Sequence, residues 1–163
     1  MERHEVRLFR YLLRVLGDET MAEDVFQQTW VQVAERISRY DALRPFAPWL
    51  FTVARNLALD QLRRRQPASL EETEEPALPT TAGDDPFARA VASERSSRLV
   101  DALGALPPLD REVLSLRFQG ELDLPELAAT LGVPVPTAKA RLYRALARLR
   151  ARLVAHAPAE EWR

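Results

Sequence analysis

Apolar residues recur along this chain at helical spacing, and the alternating runs that a half-buried strand needs are missing. At about 100° per residue, Met21, Val25, Phe26, Thr29, Val33 and Ile37 gather on one face of a helix expected over about Met21 to Ile37. Thr20 followed by Glu23 has the form of a capping box for its start. Asp24, Gln27, Gln28, Val31 and Glu35 fall on the opposite side, either as a solvated face or as a surface for a partner. Two more helices are expected around it, over about Glu2 to Leu16 and Pro48 to Arg65. On the latter, Phe46, Leu50, Val53, Ala54 and Leu57 form the apolar stripe, while Trp49, Thr52, Asn56 and Arg63 line up on another side. The closing run Arg63, Arg64 and Arg65 suits a helix C-terminus, where cations complement the dipole. An aromatic beside amide, hydroxyl and guanidinium groups equally suits a single nucleic-acid strand, which needs stacking, base-edge partners and phosphate neutralisation. The pattern alone leaves both readings open.

The second half predicts helices over about Arg98 to Ala105, Pro108 to Phe118, Leu124 to Leu131 and Pro136 to Ala155. In the last pair Asp123 can cap a short helix, Gly132 can end it, Val133-Pro134-Val135 makes a tight turn, and a longer basic helix follows. That succession is a helix-turn-helix. On the long helix Ala138, Leu142, Ala145, Leu146, Leu149 and Leu153 share the inward face, and Pro136, Lys139, Ala140, Tyr143 and Arg144 the outward face near its start. Arg141, Arg148 and Arg152 run along one flank. Helices that enter a major groove present their first turns to base edges and their flanking arginines to phosphates. An ordinary arginine-rich amphipathic helix would show the same periodicity.

Composition narrows the picture. The 163 residues are 47% hydrophobic and 29% charged, as in a soluble globular chain, with no apolar run approaching the roughly eighteen residues of a membrane span. No apolar h-region follows the first residues, so the expected location is cytoplasmic. With no cysteine and only His4 and His156, disulfides, thiol catalysis and Cys/His zinc sites are excluded. Glycine totals five, no phosphate-cradling loop appears, and no Ser/His/Asp or paired-carboxylate constellation can be assembled. Neither a cofactor nor catalytic residues are expected. The net charge of -1 divides into +2 for Met1 to Gln66, -4 for Pro67 to Arg98 and +1 for Leu99 to Arg163. The middle stretch holds four prolines and the acidic residues Glu71, Glu72, Glu74 and Glu75, with too little apolar surface to offset chain entropy. The chain is therefore expected to be all-α: two small helical domains, 1–66 and 98–163, joined by a flexible acidic linker, 67–97, the second domain carrying the helix-turn-helix. Domains of this size bury only marginally enough surface by themselves, so binding something larger would help both.

The strings DETMAEDVFQQTWVQVAERI, RPFAPWLFTVARNLALDQLRRR and LPPLDREVLSLRFQGELDLPELAATLGVPVPTAKARLYRALARLRARL resemble, in order and spacing, the two conserved regions of extracytoplasmic-function sigma factors. These are small promoter-specificity subunits of bacterial RNA polymerase. The resemblance covers nearly the whole chain outside the linker. It implies a protein, monomeric when free, that binds core RNA polymerase through its clamp coiled coil and its flap, together with promoter DNA. An anti-sigma factor is the further partner it implies. Asp24, Gln27 and Gln28 match the positions that dock on the clamp. The loop from Ser38 to Phe46, with Arg44, matches the loop that receives a flipped base of the -10 element, and Trp49, Thr52, Asn56 and Arg63 fall on the helix that meets the opened strand. Thr137, Lys139, Ala140, Arg141, Tyr143, Arg144 and Arg148 fall on the helix that reads the -35 element as duplex. Pro136 stands where such factors often have glycine and Ala140 where serine is common. The alternative is a sigma-like decoy that sequesters an anti-sigma protein, which a degraded recognition helix would favour.

Overall fold

The computed structural model describes residues 2–65 and 94–155, and within these residues every regular element is helical. The first lobe is α1 (Glu2–Leu16), α2 (Glu19–Arg36), a 3-10 turn (Ile37–Arg39) and α3 (Phe46–Arg65). The second is α4 (Glu94–Gly104), α5 (Pro108–Phe118), α6 (Leu124–Leu131) and α7 (Val135–Ala155). The flexibility expected of the linker concerns residues that lie, for the most part, outside those described. The helix expected from about Arg98 starts at Glu94.

The helix ends follow from local chemistry. Gly17, at φ 65°, turns the chain out of α1 and leaves Asp18 extended. The Asp18 carboxylate then accepts the Met21 N–H at 2.9 Å, which makes Asp18 the N-cap and starts α2 at Glu19. The capping box expected at Thr20 is therefore not the start signal; Thr20 already lies inside the helix. At the other end α2 stops at Arg36, and the tighter 3-10 turn carries Ile37 off the apolar stripe to 48% exposure. In the second lobe Asp123 accepts the Glu126 N–H at 2.8 Å and the Glu126 carboxylate accepts the Asp123 N–H at 2.9 Å, a complete capping box. Gly132, in the left-handed conformation at φ 65°, ends α6. The next helix begins at Val135, so Pro136 is its second residue and not its first.

The two lobes share a core. Helix α3 packs against α6 and α1 against α5, and one continuous cluster runs from Leu8, Leu12, Leu50 and Phe51 to Leu116, Leu122 and Leu127. Seven successive residues of α5, Asp110 to Leu116, are buried, because that helix is covered on both sides where its sequence alone would ask for one. The seam is partly apolar. Phe51 meets Tyr11 edge-on with ring centroids 5.5 Å apart, and a Cβ placed on Gly120 would lie 3.1 Å from Phe51 Cε1 and 2.5 Å from the Leu116 carbonyl oxygen. Only a residue without a side chain fits there.

The seam is also charged. Arg7 of α1 donates from Nε to the Gly120 carbonyl at 2.8 Å, adds a second bond from Nη2, and lies 3.5 Å from Glu121. It thus closes the negative end of α5 from across the seam. Arg55 of α3 donates to both oxygens of Glu112, at 2.6 and 3.2 Å, a fork geometry on a carboxylate that is nearly inaccessible. Burial, and then the neighbouring Glu112 charge, push the Tyr11 phenol well above its usual value and keep it neutral.

Replacing Gly120 with alanine forces the α5 terminus and Phe51 apart, and should cost about 1–3 kcal/mol in urea unfolding of the full chain. A Cβ added at Gly104 would meet nothing within 4 Å, so Gly104→Ala should leave stability unchanged or raise it.

Candidate nucleic-acid and polymerase interfaces

Three surfaces are left outside this core. On α2, Met21, Ala22, Val25, Thr29 and Val33 are buried, and Phe26 is half-buried. Thr29 is accommodated in that core by donating its hydroxyl to the Val25 carbonyl at 2.7 Å. The helix therefore presents Asp24, Gln27, Gln28, Val31 and Glu35 together on its far side, all exposed. Two amides and two carboxylates around one apolar residue make a surface suited to hydrogen bonding with a partner helix.

The second surface is the loop between the 3-10 turn and α3. The Asp41 carboxylate accepts the Leu43 N–H at 3.0 Å, its carbonyl accepts the Arg44 N–H at 3.0 Å, and the Tyr40 hydroxyl donates to the Arg44 carbonyl. This folding pushes Leu43 out to 95% exposure, with Arg44 exposed beside it. Tyr40 stacks on Trp49 at 4.8 Å between centroids, and Phe46 meets both rings at 5.7 Å. The aromatic platform is thus a trio. Helical periodicity does not mark Tyr40, although three aromatics at 40, 46 and 49 flanking one loop are a signal for it. Farther along α3, Asn56 and Arg63 are exposed, with Arg63 3.7 Å from Asp60, while Trp49 and Thr52 are half-buried. The Thr52 hydroxyl donates to the Pro48 carbonyl at 2.6 Å, so toward a ligand it offers lone pairs.

The third surface is the start of α7. Ala138, Leu142 and Ala145 are buried, so Pro136, Lys139, Ala140, Tyr143 and Arg144 face outward and are exposed. Thr137 and Arg141 are half-buried at its edge. Lys139 Nζ lies 5.9 Å from the centre of the Tyr143 ring, a cation–π distance. The flank differs from the sequence expectation at one point. Arg148 donates to Asp110 of α5 at 2.6 Å and so ties α7 to its own lobe. The residues that sequence reasoning missed altogether, Arg7, Phe51, Arg55 and Gly120, all lie on the seam.

Comparisons with known proteins agree with this geometry. The family model "Sigma-70 region 2" matches residues 1–68 and "Sigma-70, region 4" matches residues 96–149. The chain is 30% identical over 155 residues to the ECF RNA polymerase sigma factor SigW of Bacillus subtilis, covering 90% of this chain and 83% of that protein. It is 33% identical over 152 residues to the RNA polymerase sigma factor CarQ of Myxococcus xanthus, covering 91% and 83%. Among solved structures, CnrH in complex with the cytosolic domain of CnrY matches with TM-score 0.70 at 30% identity, over 96% of this chain and 86% of that one. Two matched regions in this order, on two helical lobes with a helix-turn-helix in the second, define a promoter-directing subunit of bacterial RNA polymerase. The chain belongs to the extracytoplasmic-function sigma factors of the sigma-70 family. No described helix is long and apolar enough to cross a membrane.

The arginines of α7 should separate by role in thermal unfolding. Arg148→Ala breaks the link to a nearly buried carboxylate and should lower stability by about 1 kcal/mol or more. Lys139→Ala and Arg144→Ala, on exposed positions, should stay within about 0.5 kcal/mol of the parent.

Proposed function

We propose that this sigma factor divides promoter engagement among the three exposed surfaces. Asp24, Gln27 and Gln28 dock on the clamp coiled coil of core polymerase. The loop carrying Arg44, with Trp49, Thr52, Asn56 and Arg63 on α3, takes the -10 element once it is opened. Thr137, Lys139, Ala140, Arg141, Tyr143 and Arg144 read the -35 element as duplex, with Arg148 reaching phosphate only at the expense of its bond to Asp110. Phosphodiester synthesis belongs to the polymerase, and the factor works in the cytoplasm where that enzyme is. The observation that carries this reading is the capped helix-turn-helix, whose second helix turns Lys139, Ala140, Tyr143 and Arg144 outward with no acidic residue in its first turn. An exposed and basic recognition surface is what a promoter reader needs and a decoy does not.

The -10 assignment draws support from the aromatic trio. Extruding a base costs a few kcal/mol, and a preformed stack of Tyr40, Phe46 and Trp49 supplies rings against which a neighbouring base can rest. CnrH was solved with the cytosolic domain of CnrY, and we infer by likeness that this chain too has an anti-sigma partner.

Charge reversal by Asp24→Arg should weaken core-polymerase binding while circular dichroism stays at parent values, since an exposed helix position tolerates such a change within about 0.5 kcal/mol. Competition binding against unlabelled parent protein measures it, and unchanged affinity in the folded variant would sink the docking assignment. Arg144→Ala should weaken holoenzyme binding to a selected promoter by roughly tenfold or more and relax preference at one -35 position. Asn56→Ala should instead spare closed-complex binding and reduce strand opening read by permanganate. Equal losses at both steps would contradict the division of labour.

A further inference from the structure

One large apolar side chain among the described residues has almost no cover. Leu43 is 95% exposed, whereas the next such residue, Tyr143, is 59% exposed. A loose loop could fold a leucine of this kind inward, but the backbone on which Leu43 stands is held. The Leu43 N–H donates to the Asp41 carboxylate, the Arg44 N–H to the Asp41 carbonyl and the Tyr40 hydroxyl to the Arg44 carbonyl. Pro45 follows and narrows the conformations open to Arg44. Beneath the turn, the His4 ring of α1 meets Phe46 edge-on at 5.6 Å, which ties the aromatic trio to the body of the lobe. The leucine is held outward, so whatever covers it must come from a partner.

On the functional reading above, the partner at this loop is a DNA strand from which one base has been drawn. Its departure leaves the two former neighbours about 6.8 Å apart, twice the rise of about 3.4 Å per base along a strand. A layer of aliphatic carbon midway between them lies about 3.4 Å from each base plane, near the optimal carbon contact of about 3.5–4.0 Å. A leucine therefore fills the gap as a base plane would. Architectural proteins insert leucine, among other apolar residues, between base steps to unstack and kink DNA. The rest of the loop suits the same placement. Arg44, its side chain 83% exposed beside Asp41, supplies charge for the flanking phosphates, and the stacked Tyr40 and Trp49 rings offer a face to the extruded base. A leucine that lined the base pocket itself would already rest against other walls of that pocket, and at 95% exposure Leu43 rests against almost nothing.

We propose that Leu43 is the wedge of strand opening: it enters the base stack where the extruded base has left it and keeps the stack from closing again. This rests on the assignment of the loop to the -10 element. Asn56 and Trp49 hold the strand once it is open, whereas Leu43 competes with its re-pairing and restacking. Its effect is therefore large on paired DNA and small where the complementary base is already missing.

The test compares holoenzymes made with the full-length chain on one selected promoter in two forms, fully paired and with a mismatched -10 element. On the paired form Leu43→Ala should slow strand opening, read by permanganate, by roughly tenfold, as expected for losing the contacts of a buried leucine. On the mismatched form it should stay within about twofold of the parent, as for an ordinary exposed substitution. Leu43→Met, apolar and of similar volume, should keep most of the parent rate on both forms. Leu43→Asn has a similar shape but carries an amide that a base stack cannot satisfy, and should be as slow as alanine. Core-polymerase affinity and circular dichroism should remain at parent values throughout. A Leu43→Ala rate that matches the parent on paired DNA, an equal loss on both forms, or a loss of core affinity would each overturn the wedge. Asn56→Ala separates the wedge from the reading beneath it, since a strand contact should be lost on both forms. If Asn56→Ala costs nothing while Leu43→Ala behaves as stated, the strand assignment of α3 falls and the wedge stands; if Asn56→Ala fails on both forms while Leu43→Ala matches the parent, the wedge falls alone.

Discussion

Phe51 reaches out of α3 and lays its ring against the backbone of Gly120, and the architecture is arranged around that contact. Among the described residues each lobe has three or four helices from which to build an interior, and lobes of this size hide barely enough apolar surface to offset the entropy of ordering their chains. By meeting along α1, α3, α5 and α6 they pool their interiors into one. Tyr11 is fully enclosed as a result, and α5 loses its solvent face. The polar contacts at the rim, Arg7 on a helix end and Arg55 on Glu112, then fix the register in which the apolar parts meet. Hydrophobic contact favours closeness without choosing an angle, whereas a forked ion pair chooses one.

What could be read from the sequence was what depends on neighbours in the chain. The helices of both lobes, the Asp123 cap, the Gly132 stop and the inward stripe of α7 all rest on spacing of a few residues, and all are present, with several helix ends shifted by one to four residues from where spacing puts them. The errors were local competitions. Asp18 and Thr20 are both good caps, and Gly17 decides between them by leaving Asp18 extended at the right place. Ile37 fits the apolar period of α2, but the helix tightens one residue before it. Nothing near Glu112 or Arg55 in the sequence indicates that they meet. Their pairing joins positions 57 residues apart, and on its own helix each reads as an ordinary exposed charge.

The surfaces were legible for a related reason. A residue faces outward when its helical neighbours face inward, so the Asp24, Gln27 and Gln28 face and the Lys139, Ala140, Tyr143 and Arg144 face follow from the buried stripes behind them. Which charges are free on those faces does not follow. Arg148 has the same period as a phosphate-contacting arginine and is instead held by Asp110 of another helix. Tyr40 shows the converse: its stacking on Trp49 depends on how the Asp41 turn folds the loop back, and that turn is set by backbone bonds the periodicity does not describe.

Lys139 resting over the Tyr143 ring has a consequence for recognition. A free lysine on a helix samples many rotamers and loses that freedom when a groove fixes it, a cost of order 1–2 kcal/mol for so long a side chain. Here a ring one helical turn away already narrows the choice, and the ring itself is stiff. On the proposed -35 reading, the pair is one semi-rigid probe, part cation and part apolar plate, offered to the edge of the duplex as a unit. A duplex that suits the ammonium but not the ring would have to pull the two apart. Discrimination at that position would then come from the pair's shape as much as from the lysine's charge.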